Sequence, residues 1–286
     1  MNKLLRQAFT LIELLVVIAI IGILSGLIVV SMGGVTQKAT IAKAQVFSSS
    51  LRNSLMLNLI AEYKLDGNAN DTWGGHTAGT ISGAVTQASC VQENCYSFDG
   101  TDDFIELVDS PDLRMTTGGT ISAWIYPKTI GGSGAGRILD KGTSTSAANG
   151  YMIFINSTIS LALYINGGST TLSSSNALTL NQWQLITVSF DSSGRKMYIN
   201  GVDKISSGGA LVALPPDVAG VVNVGNRASA TDRAFNGYID EIRIYNVVMP
   251  ISQIKEQYYI GLNKLLSNKG ITQEEYISRL NDYAQN

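Results

Sequence analysis

Histidine is almost missing from this chain: His76 is the only one in 286 residues. A mechanism that needs two imidazoles is therefore excluded. Cysteine is as scarce. Cys90 and Cys95 stand alone, too few with one histidine for a zinc centre of the usual ligand sets. Concentrated positive charge is lacking as well: 20 Lys and Arg face 22 Asp and Glu, for a formal net charge of −2, and no basic stripe is present. Phosphate backbones are held by clustered Lys and Arg, so nucleic acid is excluded as a main partner. Proline is rare (5) while glycine is plentiful (29). With Ser, Thr and Asn between the apolar runs, this is the composition of a turn-rich β domain. The length allows one sizeable core with appendages rather than two full domains.

What the chain does have is a long apolar run near its start. Residues 1–8, Met-Asn-Lys-Leu-Leu-Arg-Gln-Ala, carry two positive charges, and the 22 residues from Phe9 to Val30 follow. As a helix they would reach about 33 Å, enough to cross a bilayer core. Lys3 and Arg6 would keep the leader cytoplasmic and send the rest outward. A secretory signal peptide would have a shorter apolar region before a small-residue cleavage site. Here the run is long and holds a carboxylate, Glu13. An ionisable group in a membrane helix costs about 2.5–3.5 kcal/mol on insertion scales, which marks it as functional.

Phe9-Thr10-Leu11-Ile12-Glu13-Leu14-Leu15-Val16-Val17 resembles the class III signal of type IV prepilins and type II secretion pseudopilins. The resemblance implies cleavage by prepilin peptidase between Ala8 and Phe9, N-methylation of Phe9, and retention of the membrane helix in the mature protein. Ala8 stands where the family usually has glycine. Glu13 would become the fifth residue of the mature chain and neutralise the terminal amine of a neighbouring pilin subunit. A buried carboxylate and a buried ammonium are each costly alone, and pairing offsets much of that cost. The expected organisation is a leader (1–8), a transmembrane pilin helix (9–34) ending at Ser31-Met32-Gly33-Gly34, and an amphipathic helix (35–61) with Ile41, Ala44, Leu51, Leu55 and Leu59 on one face.

From Tyr63 the pattern turns to short β runs between Gly, Asn, Asp and Ser clusters. Strands are expected at 96–98, 104–107, 120–126, 137–140, 151–156, 160–165, 184–191, 196–199, 221–224 and 237–245, the spacing of an antiparallel β-sandwich. Five pieces, 98–105, 120–127, 183–191, 197–201 and 235–246, resemble in order and spacing the laminin-G-like, concanavalin A-like jelly roll. The resemblance covers 62–248 and implies the fold while leaving the ligand open. Cys90 and Cys95 are expected to close a small disulfide loop.

Asp66, Asn68, Asn70 and Asp71 make an oxygen-rich loop. By the same resemblance, Ca²⁺ could lie between this loop and the last-strand aspartate, with Asp71 and Asp240 as ligands. The other reading is that these residues only build turns. Asp240 and Glu241 are adjacent on a strand and are expected to point to opposite faces, which counts against a glycoside-hydrolysing pair; no enzyme is expected. A binding surface is looked for where loops 131–136, 141–150 and 226–233 could meet. There Arg137, Lys141, Arg227 and Arg233 would favour an anionic glycan or polymer. Trp73 is the aromatic best placed to stack on a sugar, while Trp124 and Trp183 read as core.

After Tyr245 the period becomes helical, giving a tail (249–286). Ile251, Ile254, Tyr258, Leu262, Leu265 and Leu266 form one stripe, and Thr272 caps a second helix. The tail reads as a packing or subunit-contact element. The functional expectation is a pilus subunit displaying an adhesive sandwich to a glycan or surface protein. A secretion pseudopilin touching cargo is the alternative, and a membrane-tethered hydrolase the remote one.

Overall fold

A computed structural model describes residues 57–142, 150–166, 171–207, 213–228 and 230–284. The leader, the apolar run, Ala8, Phe9 and Glu13 lie outside them. Among the described residues no helix is long and apolar enough to cross a membrane.

Alternation of apolar and polar side chains drives two antiparallel sheets to pack face to face. The first takes, in spatial order, β13 (Val202–Asp203), β12 (Gly194–Ile199), β11 (Gln184–Asp191), β6 (Gly119–Pro127), β16 (Asn236–Tyr245), β4 (Asn94–Asp99) and β3 (Val85–Ala88), with β1 (Leu59–Tyr63) also on β16. The second takes β14 (Ile205–Ser207), β10 (Thr171–Ser173), β9 (Leu161–Ile165), β8 (Tyr151–Ile155), β7 (Arg137–Lys141), β15 (Val222–Val224), β5 (Phe104–Leu107) and β2 (Thr80–Ser82). Between them lie Ile121, Ala123 and Ile125 of β6, Ile186, Val188 and Phe190 of β11, Ile153 and Ile155 of β8, and Leu161, Leu163 and Ile165 of β9. Burying each such side chain fully contributes about 1.5–3 kcal/mol.

Two expectations need correction. Residues 59–61 do not end a helix: β1 pairs with β16 from Leu59↔Tyr245 to Tyr63↔Ile242. Ala61 and Tyr63 enter the inter-sheet core, while Leu59 joins Tyr198, Tyr245, Met249 and Ile254. The sheet edge offered backbone hydrogen bonds that outweighed helical spacing. Nor do Asp240 and Glu241 alternate across the sheet. The β16–β6 register shifts between Asp240 and Arg243, Glu241 has φ 51°, and Ile239 and Ile242 both face the core. Two acids therefore occupy the step normally taken by one, as a β-bulge permits.

The tail is part of the sandwich. Helices α1 (Ile251–Ser267) and α2 (Gln273–Ala284) cover the face of the first sheet opposite the core. Tyr258, Leu262 and Leu265 pack with Trp124, Trp183, Leu185 and the two cysteines. The Trp124 and Tyr258 rings stack with centroids 5.7 Å apart. Glu275 N–H donates to Thr272 Oγ1 at 3.1 Å, the expected cap.

Candidate functional site

Asp71, one of the two aspartates expected to hold Ca²⁺, is engaged within its own loop. Its Oδ1 accepts the backbone N–H groups of Glu62 and Trp73, both at 2.9 Å. Its Oδ2 accepts the His76 N–H at 3.2 Å and meets His76 Nδ1 at 2.5 Å. Both oxygens are spent on holding the loop. Burial opposes the charge, but these donors outweigh it and keep the carboxyl below its usual range. His76 Nε2 reaches Asp112 Oδ1 at 3.2 Å, so the ring is clamped between two carboxylates. Burial works against the imidazolium, yet the bonds to Asp71 and Asp112 prevail and raise its pKa.

Asp240 is placed differently. The Cys90–Cys95 disulfide is formed, and its loop donates the Val91 and Gln92 N–H groups to Asp240 Oδ2 at 2.9 and 3.2 Å. The same loop donates Asn94 N–H to Asp66 Oδ1 at 3.2 Å. Asp240 Oδ1 is buried and has no hydrogen-bond partner among the described residues. Burial first, then the Glu241 charge, pushes its carboxyl well above the usual range, with Asp66 adding to the effect. Burial raises Asp66 as well. Glu241 itself is engaged by Arg243 and by Lys264 at 3.3 Å. Of the two loop aspartates, Asp66 is the one whose charge bears on Asp240.

A second cluster lies on the face of the second sheet opposite the core. Cross-strand register sets Glu106, Asn223, Asp140, Met152 and Tyr164 in one row and Arg137 beside Phe154 in the next. The Arg137 guanidinium sits 4.4 Å from the Phe154 ring centroid, and its Nε donates to Asp140 Oδ2 at 3.0 Å. The loop after β15 folds back over this end. Gly225 opens it with φ 83°, and a Cβ there would come within 2.2 Å of the Phe98 ring, so only glycine fits. Fully buried Asn226 then organises the loop, accepting the N–H groups of Arg227 and Arg233 at 2.9 and 3.3 Å. Arg227 Nη1 donates to both oxygens of Asp232, at 2.7 and 3.0 Å. Arg233 Nη1 donates to Ser133 O at 3.0 Å, and Arg137 N–H to Arg233 O at 2.8 Å.

Loops 131–136 and 226–233 therefore meet as expected, bringing Arg137, Arg227 and Arg233 together. Lys141 does not join them. Its ammonium lies 3.0 Å from Asp109 Oδ1 and also donates to Gly220 O. Residues 143–149 lie outside the described residues. Trp73 is exposed, whereas Trp124 and Trp183 are buried, as the sequence suggested. Asp99, Asp102 and Asp103 also converge, but Asp103 Oδ2 and Asp99 Oδ1 are taken by the local N–H groups of Asp99 and Thr101.

Comparison with known proteins bears on both halves of the chain. Residues 4–29 match the prokaryotic N-terminal methylation motif. Residues 99–255 match the laminin G-like family described as the concanavalin A-like lectin/glucanases superfamily. A comparison with curated proteins finds no match. Among solved structures, domain 4 of AbnA, a GH43 extracellular arabinanase from Geobacillus stearothermophilus in complex with arabinotriose, is similar at 22% identity. It aligns over 70% of this chain and 97% of its own length with a TM-score of 0.56. A Trypanosoma rangeli sialidase is similar at 14% identity over 71% of this chain but 32% of its own, with a TM-score of 0.56. The receptor binding domain of a botulinum neurotoxin mosaic serotype C/D is similar at 16% identity over 72% and 51%, with a TM-score of 0.53. At these identities the likeness is one of fold. With its matched sandwich covering more than half of the residues, the chain belongs to the concanavalin A-like lectin/glucanases superfamily and carries a prokaryotic N-terminal methylation motif of the type IV pilin kind.

Proposed function

We propose that this chain is a structural subunit of a type IV pilus or closely similar filament, and that its sandwich is a binding head displayed outside the cell. The observation that carries the reading is the methylation motif at residues 4–29, with Glu13 inside its apolar run. The motif supports processing by a prepilin peptidase between Ala8 and Phe9, anchorage in the membrane and assembly with other pilin subunits. Glu13 gives assembly its register, since a carboxylate in an apolar helix is relieved by pairing with a neighbour's terminal amine. For the head, a saccharide ligand is favoured by the fold's likeness to a domain crystallised with arabinotriose. Binding rather than catalysis is favoured because the acids at the bulge are already engaged: Glu241 by Arg243 and Lys264, and Asp240 Oδ2 by two backbone donors. Ca²⁺ at Asp240 and Asp66 completes the proposal as a structural ion, resting on the orphaned Oδ1 of Asp240.

The test of assembly is Glu13→Ala in cells that carry the filament machinery. The variant is expected in the membrane fraction at normal level and absent from filaments sheared off the surface. Normal incorporation would refute the assembly role. Finding the wild type only in a short periplasm-spanning pseudopilus would transfer the reading to a secretion system. For the ion, excess Ca²⁺ added to chelator-stripped protein should raise Tm by several degrees, since occupancy at 100 times Kd stabilises by about 2.7 kcal/mol. Asp240→Asn should abolish the shift, and an unmoved wild-type Tm would remove Ca²⁺ from the proposal.

A further inference from the structure

We infer that the arginine cluster on the outer face of the second sheet is a recognition site for acidic saccharides, with Arg233 as the approachable donor and Arg227 and Arg137 behind it. The inference rests on the saccharide-binding reading above and adds the ligand's charge class and the place where it binds. The charge is out of balance. Arg137, Arg227 and Arg233 are paired directly with only two carboxylates, Asp140 and Asp232, while Glu106 stands two strands from Asp140 in the same row, so the pairing leaves a local excess of positive charge. Guanidinium groups do not shed their protons at any ordinary pH, so the excess cannot be relieved by titration.

The excess is also poorly hydrated. The side chains of Arg137 and Arg227 are 7% and 8% exposed, and burial, reinforced by the Arg233 and Arg227 charges, disfavours the Arg137 cation despite Asp140. Arg227 Nε and Arg233 Nε make no hydrogen bond among the described residues, and neither does Asn223 Oδ1. Buried polar atoms are normally satisfied, so the unsatisfied Nε donors of Arg227 and Arg233, converging beside Arg137, point to a missing anionic acceptor. The way in is on the Arg233 side, where the Arg233 and Asp232 side chains are 32% and 53% exposed. Asp232 is the movable partner. Its half-exposed carboxylate accepts from Arg227 through Nη1 alone, and a ligand carboxylate can replace it by an exchange that leaves the number of ion pairs unchanged. Half-buried Phe154 and Tyr164 lie on the same face and offer apolar surface to a sugar ring. A carboxylated sugar unit, as in a uronate-containing polysaccharide, meets both requirements.

The experiment is a titration of full-length protein in detergent with oligogalacturonate, with a neutral arabinose oligomer, and with sodium acetate as the bare carboxylate. Oligogalacturonate should bind, should weaken with added salt, and should lose affinity about tenfold in Arg233→Gln, the loss expected for one charge-assisted hydrogen bond. Asp232→Asn should bind at least as tightly as wild type, because the competing carboxylate is weakened; this variant reads the site without removing an arginine. Both variants should keep the wild-type Tm within about two degrees, as surface changes do. Neutral oligomer binding that equals oligogalacturonate binding and ignores Arg233→Gln would overturn this inference and leave the saccharide reading standing. If no saccharide binds at all, both fall. Acetate binding as tightly as the oligomer would reduce the site to one for small anions and overturn the saccharide part.

Discussion

His76 is the residue where sequence and structure differ most in meaning. As the sole histidine it served in the sequence to exclude chemistry. In the fold it is a clamp, joining the 69–79 loop to the turn at Pro111–Arg114 through Asp71 and Asp112. Its folded pKa is raised while those of both carboxylates are lowered, so somewhat below the ordinary imidazole value of about 6.5 the clamp is an ion-pair triad. A group with a raised folded pKa contributes stability that is complete below its unfolded value, about 6.5, and is lost as pH rises through the folded value. Wild type should therefore exceed His76→Gln in Tm by a few degrees at about pH 5.5, and the gap should narrow at about pH 8.5. An equal gap at both pH values would mean that the imidazole acts through shape alone. The pairings that define both candidate sites were not legible from residue types. Asp66 and Asp71 are equally good oxygen donors on paper, and only the count of backbone N–H groups aimed at each separates a saturated carboxylate from one beside an orphaned oxygen. The arginines, by contrast, were legible as a charge class, but their convergence depends on Asn226, whose side chain gave no signal in sequence.

At the scale of elements, the long strands announced themselves. β6 and β11 place core residues at every second position over eight or nine residues, long enough for a period of two to stand out, and β16 is an apolar-rich run of ten whose period is broken only at its bulge. The strands that escaped, β2, β3, β10, β13 and β14, are two to four residues long and lie at or next to the sheet edges, too short for a period to be read. β1 escaped for another reason. Leu51, Leu55 and Leu59 are spaced four apart, so a helical reading ran on to residue 61, over the first part of the strand. The Glu241 bulge was invisible because a left-handed glutamate has no sequence mark. Helix α1 is the element whose docking is most sharply specified. A Cβ on Gly261 would lie 2.3 Å from Trp124 Cζ2 and 2.6 Å from its Nε1, and Trp124 is itself fully buried. Gly261→Ala gains about 1 kcal/mol of helix propensity against about 1–3 kcal/mol of overpacking. The clash should win, lowering Tm by several degrees, and near-ultraviolet circular dichroism should report a displaced tryptophan. A rise in Tm would show that α1 rides loosely on the sheet.

For the molecule as a whole, the sequence divided a sandwich at 62–248 from a tail at 249–286, and the physical boundary does not fall there. The tail supplies Tyr258, Leu262, Leu265 and Ile271 to a cluster whose other half is Trp124, Trp183, Leu185 and the disulfide. It also supplies Met249 and Ile254 to the one built on Leu59, Tyr198 and Tyr245. Polar ties reinforce the seam: Asn268 donates to Val91 O at 3.0 Å, and Arg279 to Trp183 O at 2.7 Å. A sandwich normally shows water the polar side of its outer strands. Here the outer side of the first sheet carries two tryptophans, and such a face is stable only when covered. Ending the chain at residue 248 should therefore not release an intact head. The shortened protein should be largely insoluble or bind a hydrophobic dye, whereas the complete head should unfold in one transition seen alike by tryptophan fluorescence and far-ultraviolet circular dichroism. A soluble, dye-silent fragment with an unchanged transition would mean the helices are an accessory. The expected result bears on display in a filament: with the first sheet's outer side occupied by the chain's own C-terminus, the charged outer side of the second sheet is the broad surface left to meet a ligand.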